Sequence, residues 1–90
     1  MDIVWDPEKA KSNYKKHKIH FADAENVLYD TMALTIEDQD VEGEKRFVTV
    51  GSDSTGRIVL VVYTYRDESI RLISARKATS SERRYYEEGI

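Results

Sequence analysis

The chain has no cysteine, one proline and four glycines among its 90 residues. Without cysteine it has no disulfide framework, no cysteine-ligated metal site and no thiol nucleophile. Its longest apolar run, residues 58–63, falls far short of the roughly 20 residues that cross a bilayer. The first residues lack the basic and apolar stretches of a signal peptide. We therefore expect a single cytoplasmic domain over residues 1–90, with no membrane partner.

Charge is unevenly distributed along the chain. The formal net charge of −3 argues against a general nucleic-acid coat protein. Residues 1–56 carry seven Lys or Arg against twelve Asp or Glu, whereas residues 57–90 carry seven against five. The first part holds a lysine cluster of Lys9, Lys11, Lys15, Lys16 and Lys18, and an acidic cluster of Glu37, Asp38, Asp40, Glu42 and Glu44. Such clusters are ordinarily solvated faces, but a local positive field can also capture a polyanion.

Helix and strand signals follow one another in the order α-α-β-β-β-β-α. Asp6 can cap a helix that has Pro7 at its first position and runs to about His17. An apolar stripe predicts a second helix over residues 21–30. Segments 33–36, 46–50, 58–65 and 70–75 are rich in β-formers, and residues 79–82 form a capping box for a last helix. We predict an α+β fold with two N-terminal helices, a four-stranded antiparallel sheet and a C-terminal helix. Its core is predicted to include Trp5, Phe21, Val27 and Leu28.

Alternation along the strands brings cations to one face of this sheet. If Gly51 opposes Arg57 across the first hairpin, one face near the sheet end collects Glu44, Arg46, Thr64 and Arg66. The second hairpin leaves two possibilities, because a one-residue slip exchanges the faces. A three-residue loop adds Ser74 and Arg76 to this face, whereas a two-residue loop adds Arg71 and Lys77. Either arrangement suits a phosphate, although an ion-pair ladder on a solvated sheet face has the same pattern.

Other chemistry has little support in the sequence. His17 and His20 are the only imidazoles, and no further metal ligands accompany them in the lysine-rich stretch. There is no glycine-rich phosphate loop and no nucleophile elbow. We therefore expect no metal and no cofactor. His17 is a candidate for catalysis or phosphate contact, with a solvated histidine at a helix end as the alternative.

An ordered set of short motifs resembles the BrnT toxins. Singly these motifs are weak, but in order they cover residues 3–87. They are Trp5-Asp6-Pro7-x-Lys9-Ala10-x-x-Asn13-x-x-Lys16-His17, Phe21-x-x-Ala24, Gly43-Glu44-x-Arg46, Val62-Tyr63-Thr64-x-Arg66, Ile70-Arg71-Leu72-Ile73-Ser74-Ala75-Arg76-Lys77-Ala78 and Glu82-Arg83-x-Tyr85-Tyr86-Glu87. The chain departs from the family pattern at helix ends, with Lys18 in place of a left-handed glycine, His20 in place of a capping serine, and Thr31 in place of proline.

The resemblance implies a type II toxin with a RelE-like fold and endoribonuclease activity. Its implied partners are an RNA substrate and a BrnA-type antitoxin, whose ribbon-helix-helix domain binds operator DNA. Operator DNA would then be reached only through the antitoxin.

RNA carries its own nucleophile, the 2′-hydroxyl, so a metal-free ribonuclease needs positioning, proton transfer and charge stabilisation. Arginine forks suit the last role, and we assign Arg46, Arg66 and Arg76 to the scissile phosphate. Glu44 is the predicted general base, and His17 or Tyr86 the general acid. Further contacts with RNA are expected from Lys9, Lys16, Arg71 and Lys77. Two alternatives stay open: a non-catalytic RNA- or ribosome-binding module, and a subunit that binds only protein.

Overall fold

The structure, a computed structural model, describes residues 2–37 and 43–89. The elements are β1 (Asp2–Val4), α1 (Pro7–His17), α2 (Phe21–Ala24), a 3₁₀-helix (Glu25–Tyr29), β2 (Leu34–Glu37), β3 (Arg46–Ser52), β4 (Ile58–Arg66), β5 (Ser69–Lys77) and α3 (Ser80–Glu88). Three members of the predicted acidic cluster fall in residues 38–42, outside the described residues. None of the described helices is long and apolar enough to cross a membrane. The mixed α+β class is confirmed.

Local signals define the ends of α1 and α3 as the sequence predicts. Asp6 caps α1 by accepting a 2.9 Å hydrogen bond from the Glu8 amide, and Pro7 is the first helical residue. At α3 the Thr79 hydroxyl accepts from the Glu82 amide while the Glu82 carboxylate accepts from the Thr79 amide. Each pair satisfies backbone donors that a helix start leaves free.

The second predicted helix is interrupted. Its α-helical part covers only Phe21–Ala24 and gives way to the 3₁₀-helix, and His20 makes no side-chain cap at its start. Lys18 ends α1 in the left-handed region, with φ of 61° and its amide bonded to the Tyr14 carbonyl at 2.8 Å. The backbone thus adopts there the conformation that glycine favours, although the residue is lysine.

The sheet has five strands in the order β1-β5-β4-β3-β2, which corrects the predicted four-stranded antiparallel sheet. The pairs β2–β3, β3–β4 and β4–β5 are antiparallel. The pair β1–β5 is parallel, with Asp2 beside Ser69 and Val4 beside Arg71. Three residues are too few to show the alternation by which strands are recognised in a sequence. The connection from β1 to β5 runs through the helices and strands β2 to β4, which is ample for the crossover that parallel pairing requires.

The core lies between one face of this sheet, here called the inner face, and the helix layer. Inner-face side chains of β4 and β5 pack with Ile19, Phe21, Ala24 and Val27, and Trp5 and Leu28 are partly buried against them. The four predicted core residues are therefore confirmed. Asn13 fastens α1 to β5, since its amide donates to the Ala75 carbonyl at 2.8 Å and its oxygen accepts from the Ala75 amide at 3.0 Å. The opposite face, here called the outer face, is contacted by α3 at β3.

The first hairpin keeps the predicted faces but not the predicted register. In the structure Arg46 pairs with Thr64, and Ser52 pairs with Ile58. The predicted register places Arg46 opposite Val62, so the observed register differs from it by two residues. The loop is held by Asp53, whose buried carboxylate accepts from the Thr55 and Arg57 amides. A slip of two residues leaves every side chain on its original face.

The second hairpin combines the two predicted alternatives. Its loop has two residues, because Arg66 pairs with Ser69, and this puts Arg71 opposite Thr64 on the outer face. The pairing then shifts, since Tyr63 pairs with Leu72 but Val62 pairs with Ser74, leaving Ile73 as an extra residue. Such a β-bulge reverses the alternation beyond it. Ser74 and Arg76 therefore join the outer face as well. Lys77, paired with Val59, lies on the inner-face side, which corrects its expected place beside Arg71.

Candidate active site

Two arginines flank a buried threonine near the end of the outer face. Arg46 on β3 and Arg71 on β5 both pair with Thr64 on β4, so their Cα atoms are about 10 Å apart, two interstrand spacings. Thr64 is 2% exposed and donates a 2.8 Å hydrogen bond to the Lys45 carbonyl. Paired side chains project to the same side of a sheet, so the two guanidinium groups border one surface.

Both guanidinium groups retain donors for a ligand. The buried Nε of Arg46 has no hydrogen-bond partner among the described residues. Arg71 forms no ion pair with another described residue. A buried donor without a partner costs free energy, which would be recovered if the Arg46 side chain moved so that Nε could reach an anion.

Arg66 continues the cationic surface toward the second hairpin. It follows Thr64 by two residues, and its Nη2 lies 3.3 Å from Glu44 Oε2. The Arg66 side chain is 55% exposed and that of Glu44 is 34% exposed. Ion pairs this open to water contribute little to folding, about 0–1 kcal/mol. The pair therefore brings one carboxylate to the arginines without being required for the fold. We call Glu44, Arg46, Arg66 and Arg71 the arginine site.

Arg76 lies on the same face but is already paired. Its guanidinium forms two parallel hydrogen bonds with Glu82 of α3, at 2.8 and 2.9 Å. These bonds raise the pKa of Arg76 and lower that of Glu82. Arg76 pairs with Leu60, which in turn pairs with Val50 on β3. Val50 is four residues from Arg46, so Arg76 is displaced from Arg46 by about 13 Å along the strand direction. The structure thus places Arg76 beside the arginine site and not within it.

Tyr86 is directed to another part of the molecule. Its hydroxyl donates a 2.6 Å hydrogen bond to Asp30 Oδ2, and this bond with the charged carboxylate raises the pKa of Tyr86 to about 12. Asp30 also accepts from the amides of Ser52 and Met32. Partial burial works to raise the pKa of Asp30, but the hydrogen bonds from Tyr86, Ser52 and Met32 outweigh it and hold the pKa below its ordinary value. Tyr86 therefore fastens α3 to the sheet.

The remaining predicted residues lie apart from the arginine site. His17 is the last residue of α1, in the helix layer. The carbonyl of the next residue, Lys18, accepts a hydrogen bond from Arg57 at the first hairpin. His17 therefore lies near the end of the sheet opposite to Arg66. Lys9 and Lys16 are exposed on α1, also in the helix layer, and Lys77 is exposed beyond the bulge. The structure does not bring these four side chains to the arginines.

Two residues that sequence reasoning missed hold α3 in place. Asp30 binds Tyr86 across 56 positions of sequence, and Glu82 binds Arg76 in addition to capping its own helix. Asp30 carries no local signal for this contact, since the partner lies on a distant element. In the sequence Glu82 is identifiable as the last residue of a capping box, which gives no information about its second partner.

Among residues 2–37 and 43–89, no three His, Cys, Asp or Glu side chains are grouped so that they could hold a metal ion. The outer face offers instead the guanidinium groups of Arg46, Arg66 and Arg71, with the carboxylate of Glu44 beside Arg66. Such forks bind planar oxyanions, phosphate above all, through paired N–H donors. The surface therefore has donors of the kind that suit a phosphate, and a carboxylate of the kind that can accept a proton.

Comparisons with known proteins give a matching family model and a similar solved structure. A family model described as "Ribonuclease toxin, BrnT, of type II toxin-antitoxin system" matches residues 5–82. The crystal structure of the Brucella abortus ribonuclease toxin BrnT is similar to this fold, with a TM-score of 0.69 and 28% sequence identity, covering 89% of this chain and 99% of that chain. A search of curated proteins finds no significant match. The chain belongs to the BrnT family, the ribonuclease toxins of type II toxin–antitoxin systems.

Proposed function

We propose that this toxin is an endoribonuclease that cuts RNA at the arginine site without a metal ion. The observation that carries the proposal is the row in which Arg46 and Arg71 flank Thr64, with the Arg66–Glu44 pair directly beside it. Several cations around one exposed surface suit the charge that develops on a phosphate during cleavage. A type II system also implies that the ribonuclease is controlled by an antitoxin.

The proposed reaction uses the nucleophile that RNA already carries. The 2′-oxygen of one nucleotide attacks the adjacent phosphorus, and the bond from phosphorus to the 5′-oxygen of the next nucleotide breaks. The products are a 2′,3′-cyclic phosphate and a free 5′-hydroxyl. Arg46, Arg66 and Arg71 bind the non-bridging oxygens, whose negative charge increases in the transition state.

Glu44 is the proposed general base. Its carboxylate takes the proton of the 2′-hydroxyl, and the proton that the 5′-oxygen needs comes from water at this exposed surface. The ion pair with Arg66 holds the carboxylate beside the phosphate position. His17 and Tyr86 are not retained as general acids, because one lies in the helix layer and the hydroxyl of the other is bonded to Asp30.

Arg76 and the exposed lysines have lesser roles in this proposal. Arg76 lies far enough along the outer face to contact another phosphate of the same strand. Lys9 and Lys16 are proposed to attract RNA through their field and not by contact with the reacting phosphate. We propose further that the antitoxin is of the BrnA type, and that its ribbon-helix-helix domain makes the contacts with operator DNA.

The mechanism is tested with an RNA oligonucleotide that the toxin cuts at a known position. We expect cleavage to persist with excess EDTA and to leave a 2′,3′-cyclic phosphate. A matched oligonucleotide with 2′-deoxyribose at the nucleotide before the cut should bind but resist cleavage. Loss of cleavage with EDTA, or cutting of the deoxy-substituted strand, would contradict internal attack. Salt-dependent binding without any product would favour a non-catalytic RNA-binding module.

A further inference from the structure

The helix layer carries a second surface feature, which has Trp5 in common with a smaller pocket that Arg66 and Arg71 line. A cleft of about 510 Å³ opens between α1 and the start of α2. Its walls are largely apolar and include Trp5, Ala10, Phe21 and Ala22. Trp5 and Phe21 meet edge to face with ring centres 6.0 Å apart. The ribonuclease reaction proposed for the outer face makes no use of this cleft.

One rim of the cleft is aromatic and cationic. The rings of Tyr14 and His20 are stacked with centres 3.9 Å apart, and Lys18 Nζ lies 5.7 Å from the centre of the Tyr14 ring. Lys11 and Lys15 project from the same side of α1, one helical turn apart, and also line the cleft. No acidic side chain of the described residues lines it. The complementary ligand therefore has an apolar centre flanked by negative charge.

The walls favour an apolar side chain over a nucleobase. A base carries hydrogen-bonding groups around its edge, and burying them without partners is costly. The polar residues that line this cleft, the lysines, Tyr14 and His20, are exposed, whereas its more buried lining residues Trp5, Ala10 and Phe21 are apolar. A leucine or aromatic residue would meet only apolar surface there, and neighbouring carboxylates would reach the lysines.

We propose, building on the toxin function above, that this cleft binds the antitoxin. The bound segment places an aliphatic or aromatic side chain against Trp5 and Phe21, with Asp or Glu residues on either side facing Lys11, Lys15 and Lys18. The cleft opens in the helix layer and no arginine of the described residues lines it, so this contact anchors the antitoxin without itself covering the arginines. Trp5 nevertheless also borders the pocket that Arg66 and Arg71 line. Anchoring at this cleft raises the effective concentration of any further antitoxin segment that blocks cleavage.

The test measures affinity of the purified antitoxin for toxin variants. Ala22→Tyr fills the cleft and should weaken binding by about tenfold or more. Ser12→Tyr adds the same ring at an exposed position of α1 that does not line the cleft, and should bind as wild type does. The pair Lys11→Gln and Lys15→Gln should weaken binding by about fivefold at low salt and less at high salt. Arg83→Gln with Arg84→Gln removes the same charge from α3 and is the matched control.

Trp5 supplies a direct readout, because it is the only tryptophan of the chain. Antitoxin binding should change the fluorescence emission of Trp5. The signal of the antitoxin itself is removed by subtracting the spectrum of the complex formed with Trp5→Phe toxin. Unchanged affinity of Ala22→Tyr, or equal losses in the matched controls, would overturn the proposal. Loss of RNA cleavage by Ala22→Tyr with unchanged antitoxin affinity would instead make the cleft an RNA site. Wild-type toxin is assayed on RNA alone in parallel, so absence of ribonuclease activity is recognised independently of antitoxin binding.

Discussion

Replacing Tyr86 by phenylalanine separates a structural role from a catalytic one. The substitution removes a single hydroxyl, which donates a 2.6 Å hydrogen bond to the Asp30 carboxylate. A hydrogen bond to a charged group contributes about 1.5–3 kcal/mol. Because Tyr86 is only partly buried, we expect a loss near the lower end, about 2 kcal/mol. The whole domain has roughly 5–13 kcal/mol of stability, at about 0.05–0.15 kcal/mol per residue. The substitution should therefore be clearly measurable without unfolding the chain.

The cost of Tyr86→Phe should depend on pH in a defined way. The pKa of Asp30 is lowered in the folded chain, so the contribution of its carboxylate is present above the unfolded value and is lost as pH falls through the folded one. The pKa of Tyr86 is raised from 10.0 to about 12, so the contribution of the neutral phenol is present below pH 10 and is lost between pH 10 and about 12. The difference in free energy of unfolding between wild type and Tyr86→Phe should be largest and constant near neutral pH, and it should become smaller at acidic and at alkaline pH.

The assay is urea unfolding of both proteins across pH, beside RNA cleavage at a temperature where both are folded. Cleavage by Tyr86→Phe should stay within about threefold of wild type, since this hydroxyl is bonded to Asp30 and does not face the arginines. A loss of about 10²-fold or more, the size expected for a general acid, with unchanged stability would refute this reasoning and return Tyr86 to the catalytic residues.

Three further substitutions test the fold. Asn13→Ala removes the side chain that bonds both the amide and the carbonyl of Ala75, and should cost about 3–5 kcal/mol in urea unfolding because buried backbone groups lose their partners. Lys18→Gly should stabilise the chain by about 1 kcal/mol, since Lys18 has φ of 61° at the end of α1; a lower melting temperature would contradict this. Gly51→Ala should destabilise by about 1–3 kcal/mol, because an added Cβ would lie 3.0 Å from the Ala33 Cβ and 3.1 Å from Asp30 Oδ2. An unchanged unfolding midpoint for Gly51→Ala would show that these neighbours can shift freely.

The helix starts and strand positions could be predicted because their causes are local. Asp6, Pro7 and the capping box at Thr79 act within a few residues of sequence. The strand β1 could not be predicted, since its partner β5 is more than 60 residues away and three residues show no period. Long-range pairing of this kind leaves no local pattern.

The candidate site was predictable in part for the same reason. Alternation correctly assigns Arg46 and Thr64 to one face, because a two-residue error in register leaves faces unchanged. The bulge at Ile73 decides which cations of β5 join them. The sequence does not reveal it, because Ile73 is apolar like Ile70, Leu72 and Ala75, and only their burial in the structure shows the spacing of two and then three. The distant partners Asp30 of Tyr86 and Glu82 of Arg76 depend on how α3 packs, which local patterns do not specify.

The central claim, that arginines on the outer face stabilise the cleaved phosphate, is tested most directly by kcat/KM for RNA cleavage by Arg71→Ala and Arg46→Lys. Removing one preorganised donor costs about 10²–10³ in rate, and lysine keeps the charge of Arg46 but loses its fork. We therefore expect Arg71→Ala to lose about 10²-fold or more and Arg46→Lys to lose activity despite its retained charge. The free energy of unfolding of Arg71→Ala should differ from that of wild type by less than about 1 kcal/mol. Undiminished cleavage by both variants, or activity lost only together with the fold, would contradict the account.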